Sequence, residues 1–251
     1  MVSRPINYLS KPMPVNMGDW WFDVATTSHF WIRRRFEVMR RLADTVVRNS
    51  TQVAEIGCGN GLLQKDIEDY YGRSVTGFEL NELALQKNVC QKGELFCYNI
   101  HQRNPEFRQR FDLIFLFDVL EHIEDEAGFL DSVKFHLKES GTLLINVPAH
   151  QAFYSDYDRA AGHIRRYSAD QLTKVAEANG MRVRAITYWG LPLVPLLLLR
   201  KRMSLQRSNG RAGFDTHGRT INAILALLSR LEPLPQQALG TSVMAMLELR
   251  N

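Results

Sequence analysis

A chain of 251 residues with 45% apolar and 23% charged residues has the balance of a globular protein with one sizeable core, which excludes a disordered or fibrous chain. Its net charge of +4 permits anionic partners without requiring them. The three cysteines, Cys58, Cys90 and Cys97, are scattered and odd in number, which argues against a disulfide framework and for a reducing, cytoplasmic setting.

The first 15 residues hold two cations and three prolines but no apolar run, so no signal peptide is read there. Trp20, Trp21, Phe22, Phe30, Trp31 and Phe36 cluster around a helix expected over 28–47, with Arg33, Arg34, Arg35, Arg40 and Arg41 on its polar face. Residues 1–49 therefore read as a helical cap, packed across a sheet edge or closing as a lid over a ligand.

A short buried strand then runs through Glu55 into Gly57-Cys58-Gly59-Asn60-Gly61 and a helix over 62–71. Glycines two apart let backbone approach a ligand closely. A dinucleotide loop requires its third glycine three residues after the second, and that position is Leu62, so NAD and FAD are disfavoured. A second strand over 74–80 ends on Glu79, 20 residues after Gly59, the spacing at which an acid meets a ribose diol in open α/β folds. A helix over 82–91 and a third strand over 94–98, followed by Asn99 and Ile100, come next.

Further apolar strands are expected at 111–118 and 141–148, with a helix over 126–138 between them. This alternation argues for a parallel sheet covered on both faces, with ligands beyond the carboxyl ends of its strands. The polar string 150–168 leaves such an end, so it should overhang the site. Ser168 is a suitable N-cap for the helix that follows and Asn179-Gly180 its C-cap, before strands at 181–188 and 241–249.

Between those last strands lies an insertion, 191–240. Its apolar start runs into Arg200-Lys201-Arg202, and 200–230 holds seven Lys or Arg against the single acid Asp215. Apolar residues flanked by cations suit a bilayer interface, so peripheral membrane contact through 191–202, at the inner face of the membrane, is one expectation; a dimer interface or a lid are the others. The apolar run 189–199 is 11 residues with two prolines, short of the roughly 20 that span a bilayer.

The string E-x-G-x-G-x-G from Glu55 to Gly61 resembles motif I of the class I S-adenosylmethionine (SAM) methyltransferases, and Phe111-Asp112-Leu113-Ile114 through Asp118-Val119-Leu120-Glu121-His122 resembles their motif IV, as in ubiquinone-type O-methyltransferases. The string D-x-x-x-x-H-x-R-R-Y ending at Tyr167 resembles a segment of bacterial SAM methyltransferases associated with glycolipid, polysaccharide or natural-product pathways. The resemblance spans roughly 50–190. It implies a Rossmann-like, seven-stranded, mostly parallel α/β sheet in the order 3-2-1-4-5-7-6, with helices on both faces. The chain then divides into a cap (1–49), a SAM-binding core (50–190), a basic and apolar insertion (191–240) and a final core strand (241–251).

The resemblance also implies a cofactor site of Glu55, Gly57, Cys58, Gly59, Gly61, Glu79, Leu80, Asn99, Ile100, Phe117 and Asp118, with SAM converted to S-adenosyl-L-homocysteine. Relatives commonly carry Asp where Asn99 stands; an amide accepts the same bond from adenine. Tyr154, Asp156, Tyr157, Arg165, Arg166 and Tyr167 are expected at the acceptor, the arginines because they grip carboxylates or phosphates. Base candidates are His163, then His150, then Asp118.

No metal site is expected, because Glu121 and His122 would face apart on a helix and no C-x-x-C or H-x-x-x-H occurs. The acceptor is expected to be a small or lipid-linked molecule methylated on oxygen or nitrogen; oligomeric state is not legible. RNA or protein methylation through the basic insertion, and a scaffold that binds SAM without turnover, remain open. Nucleic acid is disfavoured because the Asn/Asp-Pro-Pro-aromatic string of amino-methylating nucleic-acid enzymes is missing after Phe117.

Overall fold

The computed structural model describes residues 4–15, 26–204 and 219–250. Trp20, Trp21, Phe22 and the glycine-rich stretch 209–218, expected from sequence to be mobile, lie outside the described residues. The strands are β1 (Ile6–Tyr8), β2 (Val53–Ile56), β3 (Thr76–Glu79), β4 (Leu95–Cys97), β5 (Phe111–Phe117), β6 (Leu137–Pro148), β7 (Met181–Trp189) and β8 (Ser242–Leu249). The helices are α1 (Phe30–Asn49), α2 (Leu62–Tyr71), α3 (Glu82–Gln86), α4 (Glu126–His136), α5 (Asp156–Ala160), α6 (Ala169–Ala178), α7 (Val194–Ser204) and α8 (Arg219–Leu228).

All eight strands join one sheet in the order β1-β4-β3-β2-β5-β6-β8-β7, parallel except for β8. The expected order is present with one addition. The count of seven is corrected to eight, because Ile6–Tyr8 pairs in parallel with Leu95–Cys97 at the edge. An edge strand of three residues needs one ladder of backbone bonds and no buried face, so it leaves no periodic signal in the sequence.

Period-2 alternation divides the core between the two faces. Ile114 and Leu116 of β5 pack with Phe129, Leu130 and Val133 of α4 and Leu172 and Ala176 of α6. Leu113, Phe115 and Phe117 pack on the other face with Val38, Met39 and Val47 of α1 and Leu63 and Ile67 of α2. Burying each such Leu or Phe contributes about 1.5–3 kcal/mol. Helix α6 starts on the expected N-cap, where Ser168 and Gln171 form a capping box. Helix α3 stops short of its expected end: Asn88 Oδ1 accepts from Cys90 N and Val89 N donates to Asn60 O, tying the segment to the glycine turn.

Helix α1 departs from the expected polar face. Arg34 and Arg35 are buried. Arg34 pairs with Glu232 at 3.0 Å and Arg35 pairs with Asp118. A buried guanidinium is tolerated because each has found a carboxylate. No helix among the described residues is long and apolar enough to cross a membrane.

Candidate active site

The cavity begins where β2 ends. Gly57 and Gly61 hold left-handed backbone at φ +72° and +77°. A Cβ on Gly57 would lie 2.4 Å from Val119 Cγ2, so the turn demands glycine on two counts. Gly57 N and Cys58 N both donate to the Phe78 carbonyl, which moors the turn to β3. Glu79, at the end of β3, accepts from Gly59 N (2.9 Å), Leu80 N (2.7 Å) and Asn81 N (2.9 Å). Burial pushes its carboxyl up, and these three donors pull it back.

Glu55 is buried and its Oε2 has no hydrogen-bond partner among the described residues. Burial pushes its carboxyl up to about 8, against the pull of Arg35. Asp118 follows β5 with φ +58°, a strained conformation for a residue with a side chain. It accepts from Arg35 of α1 and from Asn146 Nδ2 of β6, the latter at 2.7 Å. Burial pushes its carboxyl up while Arg35 opposes the shift.

The polar string after β6 folds around the buried carboxylate of Asp158. Asp158 accepts from Ser155 N (2.9 Å), Arg166 Nε (2.8 Å) and His163 Nδ1 (3.0 Å). Burial alone would raise its carboxyl; His163 and Arg166 hold it at about 2. Ile164 N donates to Glu121 O at 2.9 Å, His122 Nδ1 lies 3.1 Å from Gly162 O, and Tyr167 OH donates to Leu120 O at 3.3 Å. These bonds clamp the string to the 3-10 turn Leu120–His122. The expectation that Glu121 and His122 diverge on a helix is thereby corrected: both sit in that tight turn, and both approach His163. Burial pushes the Glu121 carboxyl well up, with Asp118 adding to the shift, and burial lowers His122 to about 4.

One cavity joins these parts. It is lined by Glu55, Gly57 to Asn60, Phe117, Asp118 and Glu121, by Tyr157, His163 and Arg166, by Trp31, Ile32 and Arg35 of α1, and by Leu193 and Leu197.

A family model described as a methyltransferase domain matches residues 29–186. The chain belongs to the class I SAM-dependent methyltransferases. A protein of Mycolicibacterium smegmatis named as a SAM-dependent methyltransferase is 26% identical over 185 residues, covering 71% of this chain and 69% of its own. A ubiquinone biosynthesis O-methyltransferase of a Bradyrhizobium species is 29% identical over 119 residues, 45% of each chain. The chain spans about half the length of several of these curated relatives. A SAM-dependent methyltransferase from Archaeoglobus fulgidus shares the fold at TM-score 0.54 and 15% identity, covering 86% of this chain and 94% of its own. The 1,6-didemethyltoxoflavin-N1-methyltransferase of Burkholderia thailandensis does so at TM-score 0.55 and 14% identity, covering 93% and 82%.

In this methyltransferase the cavity collects only some of the expected residues. Glu55, Gly57, Cys58, Gly59, Phe117, Asp118, Tyr157, His163 and Arg166 line it; Gly61, Glu79, Leu80, Asn99 and Ile100 do not. His150 instead stacks on Tyr188, ring centroids 4.6 Å apart. Tyr154 OH holds the His163 carbonyl at 2.7 Å, Asp156 pairs with Arg159, and Arg165 and Tyr167 both engage Glu126. Arg166 spends its guanidinium on Asp158 and the Ala149 carbonyl.

Arg35, Glu121 and Asp158 were not among the site residues expected from sequence. Asp158 lay in the quoted D-x-x-x-x-H string, so it was legible as a motif member though not as the hub. Asp158→Asn would unpair Arg166 and His163, and we expect about 3–5 kcal/mol of lost stability by urea denaturation.

Proposed function

We propose that this methyltransferase moves the SAM methyl group to an oxygen or nitrogen of a small or lipid-linked acceptor. The carrying observation is one cavity lined both by the glycine turn and by Tyr157 and His163, so donor and acceptor can share it without crossing bulk water. Glu79 would accept from the ribose hydroxyls in place of its present amide partners. Asn99 would meet adenine, with Leu80, Ile100 and Phe117 as apolar neighbours. SAM carries two cationic centres, a sulfonium and an ammonium, and the unpartnered buried oxygen of Glu55 suits the ammonium.

The sulfonium is an activated donor, so the protein's tasks are alignment and release of the acceptor's proton. Alignment can supply about 7–11 kcal/mol. His163 is the activating residue: Asp158 holds its Nδ1, which leaves the Nε2 lone pair for the acceptor end. His150 and Asp118 recede as bases, since one stacks on Tyr188 and the other is tied to Arg35 and Asn146.

A lipid-linked acceptor is supported by the two faces of the inserted segment. Leu193 and Leu197 line the cavity, while Leu196, Leu198, Leu199, Ile224, Leu227 and Leu231 are exposed, with Lys201, Arg202 and Arg230 nearby in sequence. An apolar surface with cations is suited to a bilayer rich in anionic lipid. Co-sedimentation with anionic liposomes is expected, and changing Leu196, Leu198 and Leu199 to Ser should reduce it several-fold; equal sedimentation would remove the membrane contact.

Radiolabelled SAM incubated with a cell extract, then extracted into organic and aqueous phases, tests the activity. Label is expected in the organic phase, and His163→Ala should slow transfer about 10²–10⁴-fold while SAM binding persists. Label confined to RNA or protein would overturn the acceptor class, and no label would favour a non-catalytic scaffold.

The Glu55 carboxyl, pushed to about 8, is protonated at pH 7 before SAM arrives. An ammonium beside it favours the carboxylate, so binding at pH 7 should release close to one proton, and the release should vanish above pH 9 or in Glu55→Gln. Calorimetry in buffers of different ionisation enthalpy measures this directly.

A further inference from the structure

We propose that Glu121, His122 and His163 form a binding site for a divalent metal cation at the acceptor end of the cavity. The proposal rests on the methyltransferase reading above, keeps His163 at the acceptor end and replaces its role as base with that of a ligand. One ligand atom from each residue lies within 4.8 Å of the other two. Glu121 is fully buried, and neither carboxylate oxygen has a hydrogen-bond partner among the described residues. His122 Nε2 is likewise buried without one.

The second nitrogen of each imidazole decides what the first can do. His122 Nδ1 lies 3.1 Å from the Gly162 carbonyl, which accepts only, so the proton sits on Nδ1 and Nε2 carries a lone pair. His163 Nδ1 is 3.0 Å from Asp158 Oδ1, so in the neutral ring the proton sits on Nδ1 and Nε2, 3.9 Å from Glu121 Oε1, carries the lone pair. With Glu121 ionised and His163 neutral, the cluster offers one carboxylate and two lone pairs. A cation satisfies all three at once. Backing of each imidazole by a carbonyl or a carboxylate is the arrangement that orients metal-binding histidines.

Two imidazoles and one carboxylate suit a cation of the Mn²⁺ to Zn²⁺ series and leave coordination positions open. Those positions face the cavity, because Glu121 and His163 line it. The cluster is also held firmly: Ile164 N bonds Glu121 O at 2.9 Å, and Tyr154 OH bonds the His163 carbonyl at 2.7 Å. A cation bound there would draw in an acceptor hydroxyl and make it more acidic. The hydroxyl proton passes to water, the oxygen pair forms the new bond to the methyl carbon, and the carbon–sulfur bond breaks. Its electron pair stays on sulfur, leaving neutral S-adenosyl-L-homocysteine. His163 then acts as a ligand and not as the proton acceptor.

The full chain, stripped with EDTA and dialysed, is titrated with MnCl₂ by electron paramagnetic resonance and with CoCl₂ by visible absorption. One site per chain is expected, with Co²⁺ bands of nitrogen and oxygen ligation and selective paramagnetic broadening of the His122 and His163 ring signals. Glu121→Gln and His122→Asn should weaken binding about tenfold or more. SAM affinity, measured by calorimetry on the same samples, should hold. The absence of a stoichiometric site in the natural chain, or unchanged metal affinity in both variants, overturns the proposal. So does full methyl transfer by the stripped enzyme in excess chelator, a result that leaves the methyltransferase reading intact. If the stripped enzyme is fully active and Glu121→Gln raises the acceptor KM, the cluster docks an acceptor ammonium and the metal is excluded. Loss of SAM binding by the natural chain would instead strike the methyltransferase reading itself.

Discussion

Asp118 is the joint on which the cavity depends. It stands just past the end of β5 in a left-handed conformation that costs about 1–3 kcal/mol for a residue with a side chain. Arg35 from α1 and Asn146 from β6 grip its carboxylate, and Asn146 in turn accepts from Trp189 Nε1 at 2.8 Å at the end of β7. Trp189 packs against Trp31, ring centroids 5.5 Å apart, which returns the chain of contacts to α1. Helix, sheet centre and far sheet edge are thus fastened at one point, and the cavity wall is what they enclose.

Acidic side chains gather in that cavity although the chain as a whole is basic. The chain is +4 overall, yet its cavity is lined by Glu55, Asp118 and Glu121, each with its carboxyl raised by burial. Arg35 answers Asp118 directly, while one oxygen of Glu55 and both of Glu121 have no hydrogen-bond partner among the described residues. A buried carboxyl without donors is costly, and sites where such groups gather are commonly functional. The chemistry of the family supplies cationic occupants: SAM itself is cationic at both its sulfonium and its ammonium.

The acceptor side is organised differently. There the polar string is not a set of free hands waiting for substrate. Arg165, Arg166, Tyr154 and Tyr167 are spent on internal partners: Arg165 and Tyr167 on Glu126, while Arg166 through Asp158 and Tyr154 through the carbonyl hold His163 in place. Dense polar composition marked the right loop but overstated how many of its side chains face a ligand. The inserted segment shows a parallel division, with Leu193 and Leu197 turned to the cavity and Leu196, Leu198 and Leu199 turned outward.

Local order was legible because local physics wrote it. Alternating apolar runs, the glycines of 57–61, the Ser168 capping box and the 20-residue step from Gly59 to Glu79 are all settled by short-range geometry, and Gly59 N does donate to Glu79 at 2.9 Å. The edge strand Ile6–Tyr8, the inward turn of Arg34 and Arg35, and the convergence of Glu121, His122 and His163 were decided only by tertiary structure. Each depends on a partner 40 or more residues away, such as Asp118 for Arg35, separated by 83. A sequence pattern carries the period of its own helix or strand; which buried charge meets which is set when those elements pack.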